Sequence, residues 1–201
     1  MRVFFLDLAS GFGLLACVDA ENVLSSKPVD RRLPDGELLP LAEAALKDAG
    51  WTWKDVEAIA SVSGPGGFMG LKMGAAFANA LSSSLKVPSS SIHLSDLCHA
   101  RTSEKDFLWI HSTKKLEVFV RGFGEFAEQF PEAIHIGFDE LLKELPAAPL
   151  VGELIDDHRS ALLKVGCTEV QLKPVTDVLP EVLSQLSYKK QTVLPWYGRE
   201  G

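Results

Sequence analysis

The sequence has few cysteines and no long apolar run. Its three cysteines, Cys17, Cys98 and Cys167, are far apart and odd in number. They form neither a disulfide framework nor a metal-ligand spacing, which indicates a reducing compartment. No apolar stretch approaches the roughly 20 residues needed to cross a bilayer. Asp7 breaks the first apolar run at once, which is typical of a buried strand and not of a signal peptide. We therefore expect a cytoplasmic protein without a membrane segment.

The sequence is also short of positive charge. Its 20 Lys and Arg residues stand against 27 Asp and Glu residues, which gives a formal net charge of −7. This balance argues against a chain that grips a nucleic-acid backbone by itself, so a role on RNA would need a more basic partner. A hydrophobic content of 46% with 23% charged residues is ordinary for a globular protein.

No catalytic or metal-binding set can be assembled from the sequence. His93 and His99 lie on either side of Cys98, but nothing completes a metal site. The run Asp-Asp-His at residues 156–158 has acid–base side chains, yet paired Asp residues at a helix start are usually caps and solvated charge. These absences argue against a hydrolase that works alone.

What the sequence has instead is a glycine-rich stretch between a strand and a helix. Residues 64–70 contain four glycines and one proline. Glycine allows the backbone a positive φ and a close approach, and the free N–H groups of the following helix can bind an anion or a carbonyl group. The stretch lacks the Gly-Lys-Ser/Thr ending of a P-loop and the spacing of a dinucleotide-binding loop. Two interpretations stay open, a ligand-binding loop and a tight turn whose glycines only permit close packing.

The order of the predicted elements indicates an α/β protein in which a pattern restarts. The first half is predicted to contain a three-strand meander beginning at residues 2–8, a loop at 27–35, helices at 36–50 and 71–85, a strand at 55–62 between them, and a turn at 88–91. A charged break at 101–106 marks a boundary. Strands at 107–111 and 116–122 then echo the meander, and a last helix is predicted at 176–187. The aromatic tail from Leu194 could dock on another surface.

The two predicted helices of the first half carry more apolar surface than one buried face requires. In the helix at 36–50, Leu39 lies off the apolar stripe, and the helix at 71–85 has apolar residues on two sides. Either each helix packs on two neighbours within the chain, or one face is used by another protein.

Several segments together resemble the TsaB/YeaZ family. The most specific is Gly64-Pro65-Gly66-Gly67-Phe68-Met69-Gly70-Leu71-Lys72-Met73-Gly74, where the family reads Gly-Pro-Gly-Ser-Phe-Thr-Gly-Leu-Arg-x-Gly. Four further segments fit the family in the same order along the chain: Phe5-Leu6-Asp7, Leu38-Leu39-Pro40-Leu41, Leu116-Glu117-Val118-Phe119 and Pro195-Trp196-Tyr197-Gly198-Arg199.

The resemblance implies an actin-like, Hsp70-like (ribonuclease H-like) fold with two βββαβα subdomains, which we place at residues 1–102 and 103–201. It also implies a non-catalytic subunit that binds the catalytic paralogue TsaD, with the ATPase TsaE joining the pair, in threonylcarbamoyl transfer to the adenosine beside the tRNA anticodon. The same surface would form a homodimer in isolation. The partner interface is expected at Leu38, Leu41, Ala42, Ala45, Leu71, Met73, Phe77 and Leu81.

The sequence also departs from the family. Ser and Thr of the loop are here Gly67 and Met69, Arg is Lys72, and a His that precedes the first helix is missing from residues 31–35. The resemblance therefore implies at most a vestigial phosphate site at Asp7, Ser10, Ser63, Gly64, Gly66, Gly67 and Gly70. We expect no nucleotide or metal on this chain alone, with ATP or ADP and metal on the partner subunits and tRNA contacted only indirectly. The alternative is a stand-alone actin-like ATPase or glycoprotease-type hydrolase.

Overall fold

The computed structural model describes residues 1–29 and 36–198 as an α/β protein of two units. The first unit comprises Met1–Leu94 and Pro174–Tyr197, and the second comprises Ser95–Lys173 with Gly198. The division expected from sequence, 1–102 and 103–201, differs from these bounds chiefly because residues 174–197 belong with the first unit. No helix among the described residues is long and apolar enough to span a bilayer.

The first unit is a five-stranded sheet with the order β3-β2-β1-β4-β5. Pairs β1–β2 and β2–β3 are antiparallel, whereas β1–β4 and β4–β5 are parallel. Its strands are β1 Val3–Asp7, β2 Gly13–Val18, β3 Val23–Val29, β4 Ala58–Gly64 and β5 Ser89–His93. Its helices are α1 Leu38–Asp48, α2 Phe68–Leu85 and, from the C-terminal segment, α6 Val175–Gln185.

The second unit repeats this arrangement with the order β8-β7-β6-β9-β10, again two antiparallel pairs followed by two parallel ones. Its strands are β6 Phe107–Lys114, β7 Glu117–Phe123, β8 Ile134–Gly137, β9 Pro149–Val151 and β10 Thr168–Glu169. Its helices are α4 Phe138–Glu144 and α5 Asp156–Lys164, and all of α3 (Leu94–Ala100) but its first residue also belongs to it. The predicted repetition of one βββαβα pattern is therefore present.

The core of the first unit explains why α1 and α2 fold where they do. Successive strand side chains point to opposite faces of a sheet, so Phe4 and Leu6 share one face of β1. They form a cluster with Ala42 and Ala45 of α1 and Ala78 of α2, all fully buried or nearly so. The small alanines let both helices lie close to the sheet. Both predicted helices are therefore sheet-packing helices.

Four local predictions were incomplete or wrong. The predicted loop at 27–35 begins too early, because β3 continues through Pro28 to Val29. Strand β3 lies at the edge of the sheet, where proline is tolerated. The rest of that loop, from residue 30, and the missing family His fall outside the described residues. The predicted turn at 88–91 is wrong because Ser89–Ser91 pair with β4. Helix α2 begins at Phe68, three residues earlier than predicted, and β8 was not predicted.

Candidate partner-binding surface and the glycine loop

The glycine loop, residues 63–70, packs against the turn that follows β1. A Cβ atom added at Gly66 would lie 2.1 Å from the carbonyl oxygen of Ala9, and one added at Gly70 would lie 2.0 Å from that of Leu8. No side chain fits at these distances, so glycine is required by close packing. The loop thus faces two carbonyl oxygens of its own chain, whose partial negative charges oppose a phosphate at this place.

Asp7 and Ser10 hold the turn that the glycine loop contacts. The buried carboxylate of Asp7 accepts hydrogen bonds from the N–H groups of Ala9 (2.9 Å) and Ser10 (3.0 Å) and from the Ser10 hydroxyl (2.6 Å). Such bonds are the usual function of an Asp beside Ser and Gly in a turn. These contacts give Asp7 a structural role in capping the turn, whereas the resemblance implied at most a vestigial phosphate site there.

The other loop residues are also engaged within the chain or point away from it. The Ser63 hydroxyl donates to the carbonyl oxygen of Ile92 at 3.2 Å, and the ammonium group of Lys72 lies 4.9 Å from the centroid of the Phe68 ring. Gly67, at the N-cap of α2, is exposed, and a Cβ there would meet nothing within 4 Å. The seven predicted loop residues are thus brought into one region, where the contacts favour the interpretation as a close-packed turn.

The predicted partner-interface residues divide into two groups. Leu71, Leu81, Ala42 and Ala45 are buried in the first unit, with at most 8% of their surface exposed. Leu38, Leu41, Met73 and Phe77 are half-buried, and Leu38, Leu41 and Phe77 pack against the core cluster. The first group lies inside the unit and offers no surface to a partner, because α1 and α2 turn these stripes toward the sheet.

Other apolar side chains on the same helices are exposed. Leu39 of α1 is 47% exposed, and Phe68 and Met69 of α2 are 59% and 64% exposed. The sequence pattern places Leu39 off its stripe but does not reveal Phe68 and Met69, because it predicts a helix only from Leu71. We call the set Leu39, Phe68, Met69, Met73 and Phe77 the helix surface. Helix α2 carries a single charged residue, Lys72, among its 18 residues.

The C-terminal residues form a further feature of the first unit. The Trp196 N–H donates to the carbonyl oxygen of Ser63 at 2.8 Å, and its ring lies 4.5 Å from that of His93. The Tyr197 ring lies 5.5 Å from the ring of Phe68 at the start of α2. From its sequence, the aromatic tail could dock on another surface. In the structure, Trp196 and Tyr197 of this tail lie against the glycine loop of their own chain.

In the second unit, one serine–histidine pair has the appearance of catalytic chemistry. The Ser112 hydroxyl lies 2.9 Å from Nδ1 of His158, and Nε2 of His158 lies 2.9 Å from the carbonyl oxygen of Lys115. Because a carbonyl only accepts, Nε2 carries the proton and Nδ1 accepts from Ser112. Ser112 also accepts the Ile155 N–H at 3.2 Å. His158 is 1% exposed and stacked on Phe138, so the pair fastens the start of α5.

No group of three or more His, Cys, Asp or Glu residues in the described ranges could hold a metal ion. The thiols of Cys17 and Cys167 are buried, and burial raises their pKa values above the ordinary range for cysteine. Cysteines in such surroundings are unreactive. Neither Cys17 nor Cys167 is therefore an activated thiol.

Comparison with known proteins decides the family. Residues 35–174 match the family described as TsaD, tRNA N6-adenosine threonylcarbamoyltransferase. The chain belongs to this family. A tRNA N6-adenosine threonylcarbamoyltransferase of Chromobacterium violaceum is 33% identical over 133 residues, a match that covers 59% of this chain and 39% of that protein. The chain thus spans well under half the length of this relative of the TsaD family.

Solved structures show the fold that the chain has within the TsaD family. A protein from Pseudomonas aeruginosa described as similar to the peptidase YeaZ superposes with a TM-score of 0.66, at 18% identity and with 98% and 99% of the two chains covered. YeaZ from the same organism gives 0.65 at 16% identity, with the same coverage. The expected resemblance to TsaB/YeaZ proteins and the actin-like fold of two related halves are confirmed.

Proposed function

We propose that this chain is a non-catalytic subunit that binds and supports a TsaD-like catalytic subunit in threonylcarbamoyl transfer to the adenosine next to the tRNA anticodon. The observation that carries the proposal is the helix surface. Helix α2 places Phe68 and Met69 in solvent although it has only one charged residue to keep it soluble. An apolar patch of this kind on a surface helix is typical of a protein–protein contact.

The partners follow from the same proposal. The helix surface would pack against corresponding helices of the TsaD-like paralogue, and in its absence against a second copy of this chain. A TsaE-like ATPase would join the larger complex, and tRNA would be contacted only through the more basic partners, in the cytoplasm. Nucleotide and metal would be held by those subunits, since the glycine loop of this chain faces the carbonyl groups of Leu8 and Ala9.

The alternative function, a stand-alone ATPase or glycoprotease-type hydrolase, has weaker support. Its best candidate residues are Ser112 and His158, but the ring of His158 is buried and both of its nitrogens are engaged. A general base must reach the proton that it abstracts from a substrate-bound nucleophile or water. Magnesium-dependent ATP turnover above background by the purified chain would favour the alternative.

The experiment is co-expression with the TsaD-like subunit of the same organism, followed by size-exclusion chromatography with light scattering. We expect a one-to-one complex from the wild-type chain. Met69→Asp should weaken it at least tenfold, because a charge would be buried at the contact; tenfold corresponds to about 1.4 kcal/mol. An Asp in the first turn of a helix favours the helix itself, so the variant should stay folded.

The matched control is Leu116→Asp, which places the same charge at another exposed position. Leu116 is 72% exposed in the hairpin between β6 and β7 of the second unit. This variant should form the complex at wild-type yield. If Met69→Asp co-purifies as well as Leu116→Asp does, the helix surface is not the interface. If the chain forms a homodimer and does not bind the TsaD-like subunit, its partner in the cell is a different protein.

A further inference from the structure

The last residues of the first unit run as an extended segment across three of its elements. At one end, Ser89 of β5 and Lys189 exchange two backbone hydrogen bonds, of 2.9 and 3.0 Å. The Ser89 hydroxyl also donates to the carbonyl oxygen of Gln191 at 2.9 Å. At the other end lie the contacts of Trp196 and Tyr197 with Ser63, His93 and Phe68. We call residues 189–197 the C-terminal strap.

The middle of the strap is fastened by one side chain of α2. The Asn79 amide nitrogen donates to the carbonyl oxygen of Val193 at 2.9 Å, and the Asn79 side-chain oxygen accepts the Val193 N–H at 2.8 Å. An asparagine amide that pairs with both groups of one residue replaces a strand neighbour for that residue. Val193 itself is buried, at 4% exposure. The strap thus contacts α2 at two places: Val193 bonds to Asn79 at the middle of the helix, and Tyr197 packs against Phe68 at its start.

Helix α2 has little local support at the end that the strap contacts. Its N-cap residue, Gly67, makes no side-chain capping bond, and its first turn holds no acidic residue. Gly70 and Gly74 lie in its first two turns, where glycine disfavours helix formation. A helix start with these features depends on tertiary contacts to stay folded. The strap supplies one such contact at the helix start, from Tyr197 to Phe68, and another at the middle of the helix, from Val193 to Asn79.

We propose that the C-terminal strap is a positioning element for α2. It keeps the first turns of the helix folded and so keeps Phe68 and Met69 of the helix surface presented. Asn79 is its central positioning residue, and Tyr197 acts at the helix start. The effect on α2 stands independently, whereas the consequence for partner binding rests on the proposed function.

The test measures hydrogen–deuterium exchange along α2 in the isolated protein. Asn79→Ala should raise exchange at residues 68–77 at least tenfold, although alanine is the better helix former, and should leave β1 protected. Tyr197→Ala, which removes only the ring, should raise exchange at residues 71–74, the first amides of α2 that can bond within the helix. The matched control is Ser84→Ala, at an exposed position of the same helix, which should change nothing.

Unchanged exchange at 68–77 in Asn79→Ala, together with faster exchange in residues 189–197, would overturn the proposal, because the strap would then be released without any effect on α2. The same variants are next mixed with the TsaD-like subunit, where Asn79→Ala should bind at least tenfold more weakly than Ser84→Ala. If the wild-type chain fails to bind, the proposed function fails, and the exchange experiment still decides the role of the strap.

Discussion

The two units share one strand order and differ at the helix that follows the fourth strand. In both, a glycine with positive φ lies where that strand ends, Gly64 at +132° and Gly152 at +140°. In both, an added Cβ would collide with backbone, at 2.5 Å from Trp196 O and at 1.9 Å from Ile110 O. A feature present in both halves is required by the fold. The glycine of the first unit therefore needs no ligand to explain it.

The helices after these glycines differ in length, charge and surroundings. Helix α5 has nine residues, of which four are Asp, Arg or Lys, and the buried His158 fastens its start. Helix α2 has 18 residues with one charge, a glycine cap and the strap beside it. Since the second half has the same strand order with a short polar helix, the length and apolar surface of α2 are not required by that strand order. The duplication thus separates the features that both halves share from those that one half has alone.

The largest expected effect on stability comes from replacing the glycine at the end of the fourth strand of each unit by alanine. Gly64→Ala and Gly152→Ala should each destabilise the protein by about 2 to 4 kcal/mol, because both add a backbone collision to a strained φ. Chemical denaturation gives the free energy of unfolding. Gly67→Ala, at an open position with φ −61°, is the control and should change stability by less than about 1 kcal/mol, because the poorer N-cap preference of alanine is offset by the lower freedom of its unfolded chain. If Gly152→Ala were as harmless as the control, the two glycines would not be equivalent.

A smaller effect is expected from restoring the family serine in the glycine loop. Gly67 has the extended conformation of a helix N-cap, where serine exceeds glycine by a few tenths of a kcal/mol, so Gly67→Ser should stabilise the protein by about 0.3 kcal/mol. It should confer no affinity for ATP or ADP with magnesium in calorimetry, because the carbonyl groups of Leu8 and Ala9 still face the loop. Measurable nucleotide binding by this variant would contradict this prediction. It would show that the absence of the family serine, and not the packing against Leu8 and Ala9, prevents the wild-type chain from binding nucleotide.

The smallest expected effect is a loss of folding stability at low pH, which depends on Asp55. The backbone N–H of Thr52, which donates to the Asp55 carboxylate at 2.8 Å, is the main cause that holds the pKa of Asp55 below its usual value of 3.8. A carboxyl group with a lowered pKa stabilises the folded state above the unfolded pKa, and this contribution is lost as the pH falls through the folded value. We expect a slight loss of stability in the first unit below about pH 3.8.

Thermal unfolding between pH 5 and pH 3 measures this loss, with Asp55→Asn as the comparison. Because an asparagine side chain does not titrate, the variant should show a shallower decline than the wild-type chain. Identical slopes would mean that the bond to Thr52 contributes nothing to the acid sensitivity of the first unit.

The sequence predicted the elements well wherever the apolar pattern was clear. The short apolar run that ends at Asp7 and the 3.6-residue stripe of α1 identify a buried strand and a helix without tertiary information. Three serines at the start of β5 carry no such period, and only pairing with β4 makes them a strand. At these serines, pairing with the neighbouring strand outweighs their weak intrinsic preference for β-structure.

The candidate surface was harder to predict than the fold. A helix with small or apolar residues on all sides gives no periodic signal for which side is buried, so the sequence places Leu71 and Leu81 at the partner interface although both are buried in the first unit. The contacts of Asn79 with Val193 span 114 residues, and those of Ser112 with His158 span 46. Pairs at such separations leave no spacing pattern in a sequence.

The return of residues 174–197 to the first unit has a consequence for the way the chain is made. The second unit is contiguous from Ser95 to Lys173, so all of that segment is synthesised before α6 and the strap. Domains generally fold as units during synthesis, the N-terminal one first. Here that order is reversed, because the unit that begins the chain is completed last. A chain that ended at Lys173 would contain the whole second unit but would lack the α6 and strap residues of the first.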